Sequence, residues 1–208
     1  TKTVSAPSVT SDGTRFFVSF VEDGVARFAI VSQSGSGNPA VDVGPSPLID
    51  GSTTGVSATS AVFRATSSQY LAVVQRTVAA SNDDLLGIRI SASTGALSAP
   101  VVMVTGAGVQ AEPSVSLEGS EYGLLYRDNG VSPAALFFRR FDPTTLAPLA
   151  AAAKISDNTS GVAQRPALVF AGGEYAAAWQ DSRNTGDEEI YFAGRISCGG
   201  DKLPLGSQ

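Results

Sequence analysis

An internal repeat with a period of 53 residues constrains the fold of this sequence more than any other feature. Similar tripeptides recur at this spacing, namely Pro7-Ser8-Val9, Ser60-Ala61-Val62, Pro113-Ser114-Val115 and Pro166-Ala167-Leu168. Nine or ten residues after the start of each tripeptide comes an aromatic side chain: Phe16 or Phe17, Tyr70, Tyr122 and Tyr175. Self-similarity at a fixed period indicates a fold built from stacked copies of one supersecondary unit.

Each repeat has the pattern of short β-strands separated by turns. The aromatic lies in a run rich in Val, Phe and Tyr, and turn residues such as Asp12-Gly13 and Gly172-Gly173 precede that run. A third and an outer run follow; the predicted outer runs are 40–43, 100–104, 149–155 and, in the last repeat, Leu203-Pro204-Leu205. Ala150 to Ala153 has helical propensity, but its position matches the outer strand of the other repeats.

The sequence therefore predicts an all-β fold, a β-propeller of four-stranded antiparallel blades. We expect a single domain over residues 1–208, with repeats at about 7–59, 60–112, 113–165 and 166–208. The aromatics of the second strand are expected to fill the space between neighbouring blades, because large side chains bury the most area there. Trp179, the only tryptophan, is expected in this inter-blade core.

The fourth repeat resembles the blades of secreted bacterial β-propeller repeat proteins. The resemblance rests on Trp179-Gln180-Asp181-Ser182-Arg183 followed by Ile190-Tyr191 and Arg195, and in the third repeat the motif is reduced to Tyr126-Arg127-Asp128. The turn Ser11-Asp12-Gly13-Thr14 is also similar to the Asp-Gly turn of TolB-like blades. This resemblance implies a fold and export from the cell, and no particular activity.

The closure of the ring is open on sequence grounds. Four blades of this length could close alone, as in hemopexin-like domains, which join their ends with a disulfide that a chain with one cysteine lacks. Residues 1–4 could instead supply the outer strand of the last blade. Alternatively, the four blades form part of a larger ring, or two chains complete one.

Composition excludes several kinds of function. The sequence contains no histidine, which removes Ser-His-Asp catalysis and imidazole zinc sites. A net charge of −5 argues against binding to nucleic acid, and no apolar run is long enough for membrane insertion. The chain opens at Thr1 instead of methionine, so we expect a processed piece whose export signal is gone and an extracellular or periplasmic location.

One face of the predicted propeller is the candidate binding surface. Propeller topology puts the connections between blades and the second turn within each blade at the same end, and here those connections are long. This end gathers the predicted ligand-binding residues: Asp50, Gln110, Glu112, Arg127, Asp128, Gln164, Arg165, Asp181 and Arg183. Asp181 and Arg183 are also expected to form an ion pair that locks their hairpin. No catalytic residue and no cofactor is assigned, although loop carboxylates make calcium a possible ligand.

The sequence favours a non-enzymatic, extracellular binding module that recognises a glycan, peptide or protein at the long-loop face. The first alternative is a carbohydrate-active hydrolase with paired carboxylates among Asp50, Glu112, Asp128 and Asp181. The second alternative is a structural spacer within a larger secreted protein. Self-association that completes a larger ring is a further possibility.

Overall fold

The computed structural model describes residues 1–33, 38–49, 55–184 and 187–197. In this part of the chain the fold is all-β, and four antiparallel sheets follow one another along the sequence. No helix among these residues has the length and apolar character needed to span a membrane.

Each sheet corresponds to one sequence repeat, and we call the sheets blades 1 to 4. Blade 1 contains β1 (Val4–Ser11), β2 (Arg15–Glu22), β3 (Val25–Gln33) and β4 (Pro39–Pro47). Blade 2 contains β5 (Val56–Arg64), β6 (Gln69–Ala79), β7 (Asn82–Ser91) and β8 (Val101–Val104), with a 3₁₀ turn at Ala65–Ser67. Blade 3 contains β9 (Gln110–Glu118), β10 (Glu121–Asp128), β11 (Ala135–Phe141) and β12 (Ala153–Lys154). The described strands of blade 4 are β13 (Ala163–Ala171), β14 (Glu174–Asp181) and β15 (Glu189–Ile196).

Strands within a blade pair in sequence order, which confirms the predicted propeller of antiparallel blades. The first strands β1, β5, β9 and β13 are the inner ones, and β5 packs against β1, β9 against β5 and β13 against β9. The described residues show no comparable packing between β13 and β1.

The serine-rich tripeptides connect one inner strand to the next. The Ser8 hydroxyl accepts a hydrogen bond from the Ala61 N–H at 3.1 Å, and the Ser60 hydroxyl accepts one from Val115 at 3.0 Å. The Ser114 hydroxyl accepts one from the Leu168 N–H at 2.9 Å. An inner strand is an edge strand, so its outward N–H groups need acceptors beyond its own sheet. The hydroxyl of the repeated serine supplies these acceptors, which explains in structural terms why serine recurs at this position.

The core lies in the seams between blades, as the aromatic spacing predicts. Tyr70 of blade 2 stacks on Phe17 of blade 1 with ring centroids 4.8 Å apart, and Tyr175 of blade 4 packs on Phe138 of blade 3 at 4.9 Å. Trp179 is buried in the same seam as Tyr175, beside Leu125. Its predicted place in the inter-blade core is therefore confirmed.

Two details of the strand prediction need correction. The outer strand of blade 3 covers only Ala153–Lys154 instead of 149–155. The reason is a turn that begins at Asp142. The Asp142 carboxylate accepts hydrogen bonds from the N–H groups of Thr144 and Thr145, and Leu146, which follows them, is buried in the core. Val4 pairs with Glu22 inside blade 1, so residues 1–4 do not complete the last blade. The outer strand predicted at Leu203–Leu205 lies outside the described residues.

The seam between blades 3 and 4 depends on the absence of a side chain at Gly123. A Cβ atom at this position would lie 2.5 Å from Cε1 of Tyr175 and 3.0 Å from Phe138. We expect Gly123→Ala to lower the free energy of unfolding by about 1–3 kcal/mol through overpacking, measured by urea denaturation. Gly106→Ala is the control, because its Cβ would meet only the end of the Gln110 side chain. Equal stability of the two variants would contradict this packing.

Candidate functional site

The connections between blades lie at the same end of the propeller as the turns between second and third strands. The N–H of Val56, the first residue of β5 where the connection from blade 1 ends, donates to the Gly24 carbonyl in the β2–β3 turn at 3.0 Å. The N–H of Asn129 donates to the Val109 carbonyl at 3.0 Å in the same way. The connections between blades and these turns therefore share one end of the propeller, as the topology predicts. We call it the loop end.

Backbone irregularities mark the loop end of the inner strands. Glu112 and Arg165 stand 53 residues apart, each directly before a proline, and both have a left-handed backbone with φ of 54° and 51°. Ala6, before Pro7, has φ 49°. The pairing register shifts at each of these points, which is the signature of a β-bulge. Bulges re-aim side chains, and non-glycine residues in this conformation store strain that often accompanies function.

Glu112 is the centre of a polar network that crosses three blades. Its Oε1 lies 3.3 Å from Nη2 of Arg127, and its Oε2 accepts the N–H of Arg165 in blade 4 at 2.5 Å. Its own N–H donates at 3.1 Å to Oε1 of Gln75, a buried residue of blade 2. Gln75 in turn donates to Asp83 at 2.6 Å. The structure thus brings the predicted residues Glu112, Arg127 and Arg165 together.

Gln110 and Asp128 form a second contact beside this network. They are direct partners in the β9–β10 pairing, and Nε2 of Gln110 donates to Oδ1 of Asp128 at 3.4 Å and to the Ala107 carbonyl at 3.3 Å. The same Asp128 oxygen accepts the Gly130 N–H at 2.7 Å. Gln110 is 1% exposed, and its buried Oε1 has no hydrogen-bond partner among the described residues. A buried amide oxygen without a partner needs a water or ligand donor.

The remaining predicted residues lie apart from Glu112 or outside the description. Gln164 donates from Nε2 to Glu188 at 3.1 Å, in the β14–β15 turn region. Asp50 lies outside the described residues, so its position relative to Glu112 stays a prediction.

Asp181 and Arg183 form the predicted ion pair. Nη2 of Arg183 lies 2.6 Å from Oδ2 of Asp181, and the fully buried carboxylate also accepts a hydrogen bond from Nε1 of Trp179 at 3.2 Å. Burial alone would raise the pKa of Asp181, but the hydrogen bonds from Arg183 and Trp179 outweigh it and lower that pKa. The hydrogen bond to Asp181 raises the pKa of Arg183. The Asp181 and Arg183 side chains are thus paired with each other at the start of the β14–β15 turn, next to the buried Trp179.

Metal binding finds little support in the geometry. In the described ranges, no group of three or more acidic or cysteine side chains is gathered as metal ligands. The carboxylates of Glu112 and Asp181 are instead opposed by arginines. Calcium at the loop end therefore stays a prediction without a set of ligands.

Three participants were not among the predicted site residues. Gln75, Asp83 and Glu188 each contact a member of the site or a residue that does. Gln75 can be recognised as a candidate in the sequence, because it is a polar residue directly after the apolar run Tyr70 to Val74. That Gln75 contacts Glu112 of the next blade depends on how the blades pack, which the sequence of a single repeat does not show.

The geometry can be compared with known proteins. A scan against protein-family models and a search of curated proteins both find no match. Among solved structures, the chain is similar to a thermostable family-43 glycoside hydrolase, with TM-score 0.68 and 8% identity over 100% of this chain and 73% of that one. It is also similar to the family-43 endo-arabinanase of Bacillus licheniformis, with TM-score 0.61 and 11% identity over 93% and 72% of the two chains.

A third structural neighbour is described by a different activity. It is an N-acetylgalactosamine deacetylase from F. plautii, in complex with blood group B trisaccharide, with TM-score 0.64, 9% identity and coverage of 91% and 66%. Identities this low show the fold alone. By its strand order and by these likenesses, the chain is a β-propeller whose blades superpose on those of carbohydrate-active proteins.

Proposed function

We propose that this chain is a carbohydrate-active β-propeller whose ligand binds at the loop end, around Glu112. The observation that carries the proposal is the Glu112–Arg127 contact, with the Gln110–Asp128 contact beside it at the loop end, in a fold whose neighbours are named for acting on carbohydrates. Carboxylate, amide and guanidinium groups together offer the donors and acceptors that sugar hydroxyls need.

Glycoside hydrolysis is the first candidate activity, because the neighbours are described as glycoside hydrolases over nearly the whole of this chain. Hydrolysis of this kind uses two carboxyl groups, one as acid and one as base or nucleophile. Glu112 and Asp128 are the pair we propose, since both lie at the loop end of blade 3, Glu112 on β9 and Asp128 at the end of the adjacent strand β10. The contacts with Arg127 and the Arg165 N–H keep the Glu112 carboxylate in place as a base or nucleophile.

Glycan binding without hydrolysis is the second candidate, and a specific observation favours it. The carboxylates of Glu112, Asp128 and Asp181 all accept hydrogen bonds from the protein itself. A general acid must donate a proton to the leaving group, whereas each of these three carboxylates already accepts hydrogen bonds from protein groups. In this reading, Glu112 and Gln110 serve as acceptors for sugar hydroxyls.

The test is a panel of arabinan, xylan and N-acetylgalactosamine-containing glycans, assayed for released reducing sugar and for binding by isothermal titration calorimetry. We expect at least one glycan to bind. If it is hydrolysed, Glu112→Gln should lower the rate by about 100-fold or more, because it removes an ionised group from the reaction. If it is only bound, the same variant should weaken affinity by about 10-fold through one lost charged hydrogen bond.

Glu118→Gln is the matched control, since Glu118 ends the same strand β9 at the opposite end of the propeller. It should leave both readouts unchanged. A folded protein that neither binds nor cleaves any glycan of the panel would contradict the proposed function. Equal effects of the two glutamine variants would contradict its location.

A further inference from the structure

The first blade exposes a face that the other three blades bury. We call the side of a blade that meets the preceding blade its front face, and the opposite side its back face. Tyr70, Tyr122 and Tyr175 lie on the front faces of blades 2, 3 and 4, and none is more than 1% exposed. The equivalent residue of blade 1 is Phe16, which shares its side of β2 with Val18 and Phe20 and is 44% exposed.

The last blade exposes the opposite face. On its back side, Val169, Ile190 and Phe192 are 55%, 77% and 63% exposed. Ala176 and Ala178 lie between them, because Val169 pairs with Ala176 and Phe192 with Ala178. The small alanines leave a shallow cavity of about 160 Å³ in an apolar surface.

These two faces resemble the two faces of the seam between blades 3 and 4 in the kinds of residue at matching positions. In the seam between blades 3 and 4, the Tyr175 ring lies against Gly123, a position too close for any added Cβ. The position equivalent to Gly123, 53 residues later, is Ala176, and the one equivalent to Tyr175 is Phe16. The exposed front face thus carries an aromatic and the exposed back face has alanines between larger apolar residues, as in the seam between blades 3 and 4 if it were opened.

We propose that the free faces of blades 4 and 1 are an interface for one further four-stranded blade of the same propeller. Such a blade would place an aromatic front face over Ala176 and a back face of small residues under Phe16. It would also separate β13 from β1, which do not pack together in the described residues. The inference concerns the ring alone and does not depend on the proposed function.

The length of the structural neighbours supports a blade as the occupant. More than a quarter of the family-43 hydrolase remains outside an alignment that uses all of this chain. If the aligned part of that hydrolase is as long as this chain, the remainder is longer than one repeat of 53 residues. A second copy of this chain fits less well, because front-to-back contact between copies is heterologous and, unless the copies close into a ring, leaves a front face free at one end and a back face free at the other.

The first test is hydroxyl-radical footprinting of the 208-residue chain together with sedimentation velocity. We expect Phe16 and Phe192 to be oxidised at least five times faster than buried Phe17 and Phe138, which are matched in residue type. Two results would overturn the proposal. One is protection of Phe16 and Phe192 in a monomer, which means that the chain already covers them. The other is protection in a saturating dimer, which makes a second copy the occupant.

The second test supplies a blade. In the extended chain, a copy of residues 113–165 replaces residues 1–6, so that Arg165 is joined to Pro7 as it is to Pro166. We expect Phe16 and Phe192 to become protected by about five-fold and Tm to rise by at least about 5 °C. A second extended chain uses residues 60–112, joined through Glu112 to Pro7. The proposal is wrong if neither extended chain protects the two phenylalanines, whether because it does not fold or because it folds without covering them.

Discussion

Replacing Trp179 with alanine should lower the free energy of unfolding by about 3–5 kcal/mol. The indole is 3% exposed and lies in the seam between blades 3 and 4 with Leu125 and Leu136. It stacks on Tyr191 with ring centroids 6.2 Å apart and donates from Nε1 to Asp181. Removing it leaves a cavity and an acceptor with one donor fewer. Guanidinium denaturation followed by circular dichroism measures the change.

Phe192→Ala is the matched control for Trp179→Ala, because Phe192 is a large aromatic in the same blade but is 63% exposed. We expect its effect on the unfolding free energy to stay within about 1 kcal/mol. Similar losses at both positions would mean that the two faces of blade 4 are equally buried, which contradicts the packing described here.

The second large effect is expected at Asp181. Asp181→Asn should lower the free energy of unfolding by about 2–4 kcal/mol at pH 7, because it leaves the Arg183 guanidinium without its buried counter-charge. Arg183 offers an internal control, since it also contacts Asp157 at 2.6 Å. The Asp157 side chain is 66% exposed and that of Asp181 is 0% exposed. Asp157→Asn should therefore cost less than about 1 kcal/mol.

The same pair predicts a dependence of stability on pH. The pKa of Asp181 is lowered in the folded state by Arg183 and Trp179, against the effect of burial, so the unfolded chain binds this proton more readily. The stabilisation is fully present above the ordinary aspartate pKa and is lost as pH falls through the lowered folded value. Asp181→Asn should thus be closer to the native chain in stability at pH 3 than at pH 7. Denaturant titrations at the two pH values test this, and a constant difference would contradict the role of the charge.

The fold could be predicted from sequence because each repeat carries its own signals. The tripeptides, the aromatics and the turn glycines recur at one period, so three weak patterns support one another. The burial of Trp179 and the Asp181–Arg183 ion pair could also be predicted, since alternation along one strand puts Trp179 and Asp181 on the same face. The short outer strand of blade 3 could not, because the turn at Asp142 depends on the local hydrogen bonds of Thr144 and Thr145.

The candidate site was only partly accessible from sequence. Glu112, Arg127 and Arg165 were predicted because loop-end positions can be counted from the repeat. That Glu112 contacts Arg127 and the Arg165 backbone depends on bulges that a residue pattern does not reveal. Gln75 and Asp83 come from another blade, so their part in the network follows from packing between repeats.

An NMR titration of the ¹⁵N-labelled chain with arabino- and xylo-oligosaccharides would show whether a carbohydrate binds at the loop end. We expect saturating chemical-shift changes confined to amides of the loop end, at residues 107–112, 127–130 and 164–165, and the loss of these changes in Glu112→Gln. The absence of shifts, or shifts centred on the opposite end at residues 12–14 and 118–120, would contradict this expectation.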